Sequence, residues 1–329
     1  MRQFKFAILG AGDIAEKMAS TVIHMPQIIP YGIASRDISR SKNLADKYKF
    51  LKAFGSYEEM LKDPEIDLVY VATPHSHHYR HSMMCLQYGK HVLCEKSFTT
   101  NAAQAEKLIE FARSKNLVIA EAIWTRYLPM SKTINEIIES GVIGNVRLLT
   151  ADLGYIVTHK ERIVDPALAG GALLDVGVYP LNFAAMVLGD KIIKSSSVCT
   201  FTDTGVDASG NITLCFENGV MAVLHFSVVA QTNRQGVIYG DKGSLVVENI
   251  NNPELIKVYN LDRKVVATYP APEQITGFEY QVESIINAIE KGLIECPEMP
   301  HSEIIRIMKL MDGFRKEWGF EYPAEIESV

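Results

Sequence analysis

Short apolar runs alternate with helical patterns over the first 124 residues. The runs predict strands at residues 6–10, 31–35, 68–73, 91–94 and 117–120. Amphipathic stretches between them predict helices at residues 14–24, 39–48, 57–62, 77–88 and 101–115, the last with Asn101 as its N-cap. This alternation predicts a parallel, doubly wound α/β sheet whose strands all end along one edge.

After about residue 125 the pattern changes, because strands follow one another directly. Alternating segments at 211–216 and 221–229 flank Glu217-Asn218-Gly219, which predicts a hairpin. Further strands are expected at 146–154, 195–200, 237–240, 244–248, 254–259 and 264–269, and helices at 130–140, 172–188, 277–291 and 302–318. We therefore predict two domains, residues 1–124 and 125–329, the second an α+β domain with an open, mostly antiparallel sheet. Its helices would cover one sheet face, and the uncovered face predicts a homodimer through that sheet.

The first predicted strand breaks into a glycine-rich turn, Gly10-Ala11-Gly12-Asp13-Ile14, before a helix. Gly10 permits the tight turn, and Gly12 has no side chain to keep a pyrophosphate off the backbone. The free N–H groups of the helix start then face an anion. The pattern indicates a dinucleotide site, although a glycine turn of this kind can also be merely structural.

The second predicted strand ends in Ser35-Arg36, where a dinucleotide site usually has a carboxylate for the ribose 2′-hydroxyl. A serine and a guanidinium can both donate to a 2′-phosphate, and Arg40 could complete that site. We therefore predict NADP rather than NAD. The alternative is that both arginines are solvated charges and that Asp37 binds the ribose.

Three more polar segments fall at the ends of predicted parallel strands, where ligands bind in open α/β sheets. They are Thr73-Pro74-His75 with His77 and His78, Glu95-Lys96, and Glu121 to Tyr127. We expect Thr73, Pro74, His75, His78, Glu95 and Lys96 to contact the cofactor. His77 and His81, four residues apart on a predicted helix, suggest a metal, but neither carboxylate nor cysteine lies among these histidines, so no metal is predicted.

Acid–base chemistry has three candidates. Lys96 follows an apolar strand, and Asp175 and Tyr179 interrupt an apolar segment at helical spacing, which puts them on one face. Trp124 and Arg126 are candidates for binding a hydroxylated ring. Each candidate has a structural alternative. Lys96 could be a solvated loop charge, and Asp175 and Tyr179 could form a hydrogen bond that holds the helix. Trp124 and Arg126 could serve packing at the domain hinge.

Composition limits the partners. Lys and Arg total 33 against 39 Asp and Glu, so no general attraction to nucleic acid or anionic lipid is expected. The five cysteines are scattered and form no C-x-x-C pair, which is typical of reduced cytosolic thiols. We found no signal-peptide pattern and no apolar segment of membrane-spanning length, and we expect a cytoplasmic protein without a membrane partner.

The chain resembles the Gfo/Idh/MocA oxidoreductase family through Gly10-Ala11-Gly12, Ala72-Thr73-Pro74 with His78, residues 89–96 and residues 170–179. Residues 121–129 further resemble a branch of NADP-dependent diol and sugar dehydrogenases. The resemblance implies an N-terminal Rossmann domain, a C-terminal domain used for dimerisation, Arg36 and Arg40 at the 2′-phosphate, and catalytic Lys96, Asp175 and Tyr179. Two departures are Ser97, where the family usually has proline, and Tyr179, where inositol dehydrogenases have histidine.

The expected activity is hydride transfer between NADP(H) and a hydroxyl or carbonyl group of a sugar or cyclic diol. Lys96 and Tyr179 would act as one proton-transfer unit positioned by Asp175. In the alternative, Lys96 would carry the proton while Tyr179 and Asp175 bind and orient the substrate. Two alternatives remain open. One is a non-catalytic NADP-binding regulator, and the other is a hydrolase or lyase that recycles a tightly bound nicotinamide cofactor.

Overall fold

The protein, seen as a computed structural model that describes residues 2–329, divides into two compact units. The first comprises the chain up to Trp124 with Gln274–Met308 and Glu325–Val329, and the second comprises Thr125–Glu273 and Lys309–Ala324. The predicted division placed everything after residue 124 in one domain. The structure differs because an amphipathic helix pattern does not say which body buries its apolar face.

The first unit holds a six-stranded parallel sheet in the order β3-β2-β1-β4-β5-β6. Its strands are β1 (Phe4–Leu9), β2 (Ile28–Ala34), β3 (Lys52–Phe54), β4 (Leu68–Val71), β5 (His91–Glu95) and β6 (Ile119–Ala122). This confirms the doubly wound parallel sheet. Only β3 was missed, because three residues are too few to show a periodicity.

Five helices connect these strands. They are α1 (Asp13–Val22), α2 (Ile38–Tyr48), α3 (Tyr57–Leu61), α4 (His75–Gln87) and α5 (Ala102–Ser114). Asn101 caps α5 as predicted, since its side chain accepts a 2.9 Å hydrogen bond from the Gln104 N–H. Helix α4 begins two residues before the prediction, directly after Pro74.

The second unit holds an eight-stranded sheet in the order β14-β13-β12-β11-β7-β10-β9-β8. Its strands are β7 (Val146–Gly154), β8 (Ile192–Phe201), β9 (Asp207–Phe216), β10 (Met221–Ser227), β11 (Gly236–Gly240), β12 (Gly243–Glu248), β13 (Leu255–Asn260) and β14 (Val265–Pro270). β7 and β10 run parallel, and the other pairs are antiparallel. The predicted open, mostly antiparallel sheet is confirmed.

The helices after β6 are α6 (Pro129–Glu139), α7 (Glu161–Val164), α8 (Val178–Leu188), α9 (Glu279–Glu290), α10 (His301–Glu317) and α11 (Ala324–Glu327). The expected helix at 172–188 is in two parts, a π-helical turn at Leu173–Gly177 and then α8. Helix α9 belongs to the first unit, in contrast to the expectation that it covers the second sheet.

One segment contradicts the expectation that no apolar segment reaches membrane-spanning length. Pro166–Leu188 is long and apolar enough by length and composition, and it is the one such helix among residues 2–329. Within the protein, 83% of its apolar window is buried. Burial of that degree is what a core helix shows.

Candidate active site

The turn between β1 and α1 has the geometry of an anion site. Gly10 has a φ of +120°, and a Cβ there would lie 2.6 Å from the carbonyl oxygen of Ala72, so the turn requires glycine. Gly12 is the N-cap of α1, and no atom lies within 4 Å of where its Cβ would be. The N–H groups at the start of α1 therefore have room for a phosphate beside them, and these residues fit a dinucleotide.

Arg40 reaches this turn from α2. Its Nη2 donates a 2.7 Å hydrogen bond to the carbonyl oxygen of Ala11. Arg36 is exposed at the end of β2, and the hydroxyl of buried Ser35 accepts from the Asp37 N–H at 3.3 Å. Arg40 therefore lies against the first turn, and Ser35 and Arg36 directly follow β2.

Asp37, the alternative ribose ligand, is the N-cap of α2. Its carboxylate accepts from the hydroxyl and the N–H of Ser39 at 2.6 and 2.9 Å, and these bonds hold its pKa below the usual range. A carboxylate engaged in this way has less capacity left for a ribose hydroxyl.

An aromatic cluster of Tyr57, His77 and His81 lies in the same unit. The His81 ring meets Tyr57 edge-on at 4.9 Å and is tilted against His77 at 5.3 Å. Burial lowers the pKa of His81 to about 3, and burial followed by the charges of Arg36 and Arg80 lowers that of His77. Across residues 2–329 no group of three His, Cys, Asp or Glu side chains is arranged to hold a metal.

His78 joins the ends of two neighbouring strands. Its Nε2 lies 2.7 Å from the Thr73 carbonyl oxygen, after β4, and its Nδ1 lies 2.7 Å from the Ser97 carbonyl oxygen, after β5. Burial lowers the pKa of His78 to about 4, so the neutral ring has one N–H and donates to one of these two carbonyl oxygens. His75 packs edge-on against it at 5.6 Å, and Pro74 caps α4.

Two buried carboxylates hold the backbone on either side of Lys96. Glu95 accepts from the Tyr70 hydroxyl and from the Lys96 N–H at 3.2 Å. Glu121 accepts from the Phe98 N–H at 3.0 Å. The peptide bond between Lys96 and Ser97 is cis. Lys96 is half-buried at the carboxyl end of β5, where the sequence predicted it, whereas the role of Glu121 was not predicted.

Asp175 and Tyr179 lie four residues apart on the helical segment of the second unit. Each is less than a tenth exposed, at 6% and 8%, among apolar neighbours along the chain. Asp175 is inside the π-helical turn, where the Val178 N–H bonds to the Leu173 carbonyl oxygen. π-Helical turns occur frequently at functional sites.

Arg162 was not singled out from the sequence. Its Nη1 donates a 2.7 Å hydrogen bond to Asp175 from the short helix α7. The two residues are thirteen positions apart in irregular and helical chain, so no periodicity could have paired them. The only signal in the sequence is Asp175 itself, because a carboxylate within an apolar segment needs a cationic partner once it is buried.

The two substrate candidates have different surroundings. Trp124 is buried in the first unit with its ring 4.6 Å from that of Phe278, a residue that sequence reasoning missed. In the second unit, Arg126 Nε donates to the Asn182 side-chain oxygen at 2.6 Å, and Asn182 donates to the Val178 carbonyl oxygen at 2.8 Å. Arg126 therefore contacts α8 at Asn182, within one helical turn of Tyr179.

Comparisons with known proteins cover nearly the whole chain. Residues 4–122 match the GFO_IDH_MocA family, described as an oxidoreductase family with an NAD-binding Rossmann fold, and residues 131–246 match the GFO/IDH/MocA C-terminal domain. The chain belongs to the Gfo/Idh/MocA oxidoreductase family. It is an NAD(P)-dependent enzyme of the sugar and diol oxidoreductases within it.

Among its relatives is the trans-1,2-dihydrobenzene-1,2-diol dehydrogenase of Homo sapiens, 33% identical with 98% of each chain covered. The enzyme of the same name from Xenopus tropicalis is 34% identical over 97% of this chain and 99% of its own. A 3-ketoreductase from Actinomadura kijaniata, solved with NADP and TDP-benzene, has a TM-score of 0.89 at 26% identity and covers 96% of this chain and 98% of its own. The family resemblance drawn from the sequence motifs is confirmed.

Proposed function

We propose that this protein transfers hydride between NADP(H) and a hydroxyl or carbonyl group of a sugar or cyclic diol. The observation that carries the proposal is the pair Asp175 and Tyr179, two buried polar side chains on one helix, with Arg162 on the carboxylate. The names of the relatives, diol dehydrogenases and a 3-ketoreductase, support this substrate class.

NADP, when bound, supplies the acceptor or donor of the hydride. The residues of the first unit would hold it. Gly10, Ala11, Gly12, Asp13 and Ile14 would bind the pyrophosphate at the start of α1. Arg40 and Arg36 would bind the 2′-phosphate with Ser35, which supports NADP over NAD. Thr73, Pro74, His75, His78 and Glu95 would line the rest of the cofactor.

Oxidation of a hydroxyl also requires a group that takes its proton. Tyr179 has an ordinary pKa near 10, so acting as the base at neutral pH needs a depression of ~3 units, or about 4 kcal/mol. A cation in a water-poor site supplies much of this, whereas the same pair in bulk water is worth roughly 1 kcal/mol. We assign that part to Lys96, with Asp175 positioning the hydroxyl. In the alternative assignment Lys96 itself carries the proton.

The substrate residues are assigned as follows. The neighbouring rings of Trp124 and Phe278, tilted by 31° to each other, would offer an aromatic surface of the kind that binds the apolar side of a sugar or diol ring. Arg126 offers guanidinium donors beside the helix of Tyr179. These three side chains would discriminate among substrates rather than take part in the proton transfer.

A panel of sugars and cyclic diols, assayed with NADP and with NAD by nicotinamide absorbance, tests the proposal. Turnover of at least one sugar or diol with NADP is expected, at a higher kcat/KM than with NAD. Binding of NADP without any turnover would favour the regulator instead. Protein that retains a nicotinamide through dialysis and ignores added NADP would favour a hydrolase or lyase.

We further propose a homodimer through the second sheet. On the sheet face away from the buried core, Leu148 of β7 pairs with Met221 and with Tyr239, which are 41% and 40% exposed. An apolar patch of this kind on a sheet favours association with a second copy. Light scattering at micromolar concentration should give a dimer, and Leu148→Arg a monomer, while the exposed Lys132→Glu control stays dimeric. A monomeric wild type would contradict this assignment.

The compartment is also a proposal. None of the five cysteines forms a disulfide, and three of them are fully buried. Burial raises the pKa of the Cys85 and Cys94 thiols, which keeps both of them unreactive. This supports a reducing compartment such as the cytoplasm, and fractionation of cells expressing the tagged protein tests it.

A further inference from the structure

Asp207, the first residue of β9, is a fully buried carboxylate that the proposed mechanism does not use. Its side chain is 0% exposed, and one carboxylate oxygen accepts from the Leu173 N–H at 2.6 Å. The second oxygen has no hydrogen-bond partner among residues 2–329. Burying a carboxylate with an unsatisfied oxygen costs stability, so its presence needs a reason.

The groups around Asp207 hold the same short piece of chain. Gly171 has a φ of +118°, and a side chain there would collide with the carboxylate of Asp207. The Tyr322 hydroxyl donates to the Gly170 carbonyl oxygen at 2.5 Å, and the guanidinium of buried Arg315 lies 4.9 Å from the Tyr322 ring centre. These contacts fix the backbone from Gly170 to Leu173 at the point where the helical segment begins.

We propose that Asp207 is a positioning residue whose carboxylate anchors Leu173 and thereby sets the π-helical turn that presents Asp175 and Tyr179. The turn begins at Leu173 itself, and Asp175 follows two residues later. The proposal rests on the function assigned to Asp175 and Tyr179 above. Asp207 acts through the backbone and touches neither substrate nor cofactor in this account.

The charge on Asp207 supports this role. Burial raises its pKa to about 6, while the Leu173 N–H, the Ala172 N–H and Arg315 favour the ionised form. The facing titratable or charged groups are Arg315 on α10, Tyr322 beyond it and Cys199 on β8. An unfolded aspartate has a pKa near 3.9, so the folded protein holds this proton to a higher pH than the unfolded chain does. The contribution of Asp207 to the free energy of unfolding therefore decreases as the pH rises from about 4 to about 6. The ionised form therefore destabilises the protein at neutral pH.

Asp207→Asn separates positioning from simple support of the fold. The variant keeps a carbonyl oxygen for Leu173 but loses the charge, so its free energy of unfolding at pH 8 should equal or exceed that of the wild type. Its kcat should nevertheless fall about tenfold or more, because a neutral amide oxygen holds the Leu173 N–H less tightly than a carboxylate does. KM for NADP should stay within about twofold, as expected for a change of roughly 1.4 kcal/mol in the barrier alone. The matched control is Asp241→Asn, an exposed aspartate that accepts from the Asn145 N–H at 3.0 Å, and it should keep the wild-type kcat.

Two further measurements keep the proposal testable if Asp207→Asn folds poorly. The kcat of the wild type should fall below about pH 6 as Asp207 becomes protonated, and Arg315→Met should move that fall to higher pH because a favourable cation is lost. Hydrogen exchange of residues 172–179 should accelerate in Asp207→Ala and not in the control.

The outcomes are distinguishable. Wild-type turnover together with an unchanged kcat in Asp207→Asn would overturn the positioning role and leave the proposed function intact. A wild type without turnover on the whole panel would overturn the proposed function, and the positioning role with it. Unchanged hydrogen exchange in Asp207→Ala would overturn the anchoring of Leu173 whatever the activity.

Discussion

Arg162 donates a 2.7 Å hydrogen bond to the carboxylate of Asp175. The Asp175 side chain is 8% exposed and that of Arg162 is 44% exposed, so the pair connects a buried acid to the surface of the second unit. A buried carboxylate is tolerated when a cation compensates its charge. Arg162 thereby compensates the charge of Asp175 and orients its carboxylate, as the positioning role proposed for Asp175 requires.

Replacing Arg162 should impair turnover more than stability. A hydrogen bond to a charged group contributes roughly 1.5–3 kcal/mol. Because solvent screens the half-exposed Arg162, the contribution here is at the low end of that range, and Arg162→Met should lose about tenfold in kcat. Its effect should not add to that of Asp175→Asn, because both variants remove the same interaction. Glu161→Gln on the same short helix is the control. Additive losses in steady-state assays would separate Arg162 from Asp175.

The two glycines of the first turn should fail in different ways. Gly10→Ala should lower the melting temperature, because its Cβ would lie 2.6 Å from the Ala72 carbonyl oxygen at a φ that favours glycine. Gly12→Ala meets no atom within 4 Å and should keep the wild-type melting temperature while losing NADP affinity. Differential scanning calorimetry and NADP titration measure both. Normal NADP affinity in Gly12→Ala would argue against a pyrophosphate at the start of α1.

Cofactor preference should follow the end of β2. Ser35→Asp combined with Arg36→Ile removes a cation and adds a carboxylate that repels the 2′-phosphate, so the ratio of kcat/KM for NADP to that for NAD should fall by about tenfold or more. Arg40→Met should raise KM for NADP and leave KM for NAD nearly unchanged. An unchanged ratio in the double variant would remove Ser35 and Arg36 from the phosphate site.

The fold was largely predictable because periodicity and turn chemistry are local properties. The parallel order of the first sheet followed from the strand–helix alternation, and the hairpin at Gly219 from its turn residues. The membership of α9 in the first unit could not be predicted, since its amphipathic pattern fits any partner surface. The π-helical turn at Leu173–Gly177 was not predicted either, because residues 172–178 are almost all apolar and show no single apolar face that an additional residue could be seen to shift.

The positions of the candidate residues were predictable where they follow strands or lie within one helical segment. Lys96 lies at the end of β5, and Asp175 and Tyr179 lie four residues apart, as the sequence indicated. Arg162 and Phe278 were not predictable, because their partners are remote in sequence and neither belongs to a motif. Long-range contacts of this kind arise from tertiary packing, which a local pattern does not record.

Acid should destabilise the first unit through its buried histidines. Burial lowers the pKa of His78 to about 4 and that of His81 to about 3, below the ordinary value of 6.5 in an unfolded chain. The stabilisation that comes from these neutral histidines is therefore complete above pH 6.5 and is lost as the pH falls from 6.5 towards 4. The side chain introduced by His81→Gln does not titrate, so the free energy of unfolding of this variant should fall less between pH 6.5 and pH 4. Urea unfolding at each pH, monitored by hydrogen exchange of α4, measures this. The exposed His159→Gln is the control, and a decline equal to wild type in His81→Gln would contradict the assignment.

The central claim is that Lys96 and Tyr179 act as one proton-transfer unit with NADP. It is tested most directly by the steady-state turnover of Lys96→Met, Tyr179→Phe and the double variant, with NADP affinity measured by titration on the same preparations. Each single variant should lose about 10²–10⁴-fold in kcat, the double variant should lose no more than the worse single one, and NADP affinity should stay within a few-fold. Near-normal turnover in either single variant, or losses that multiply in the double variant, would contradict the claim.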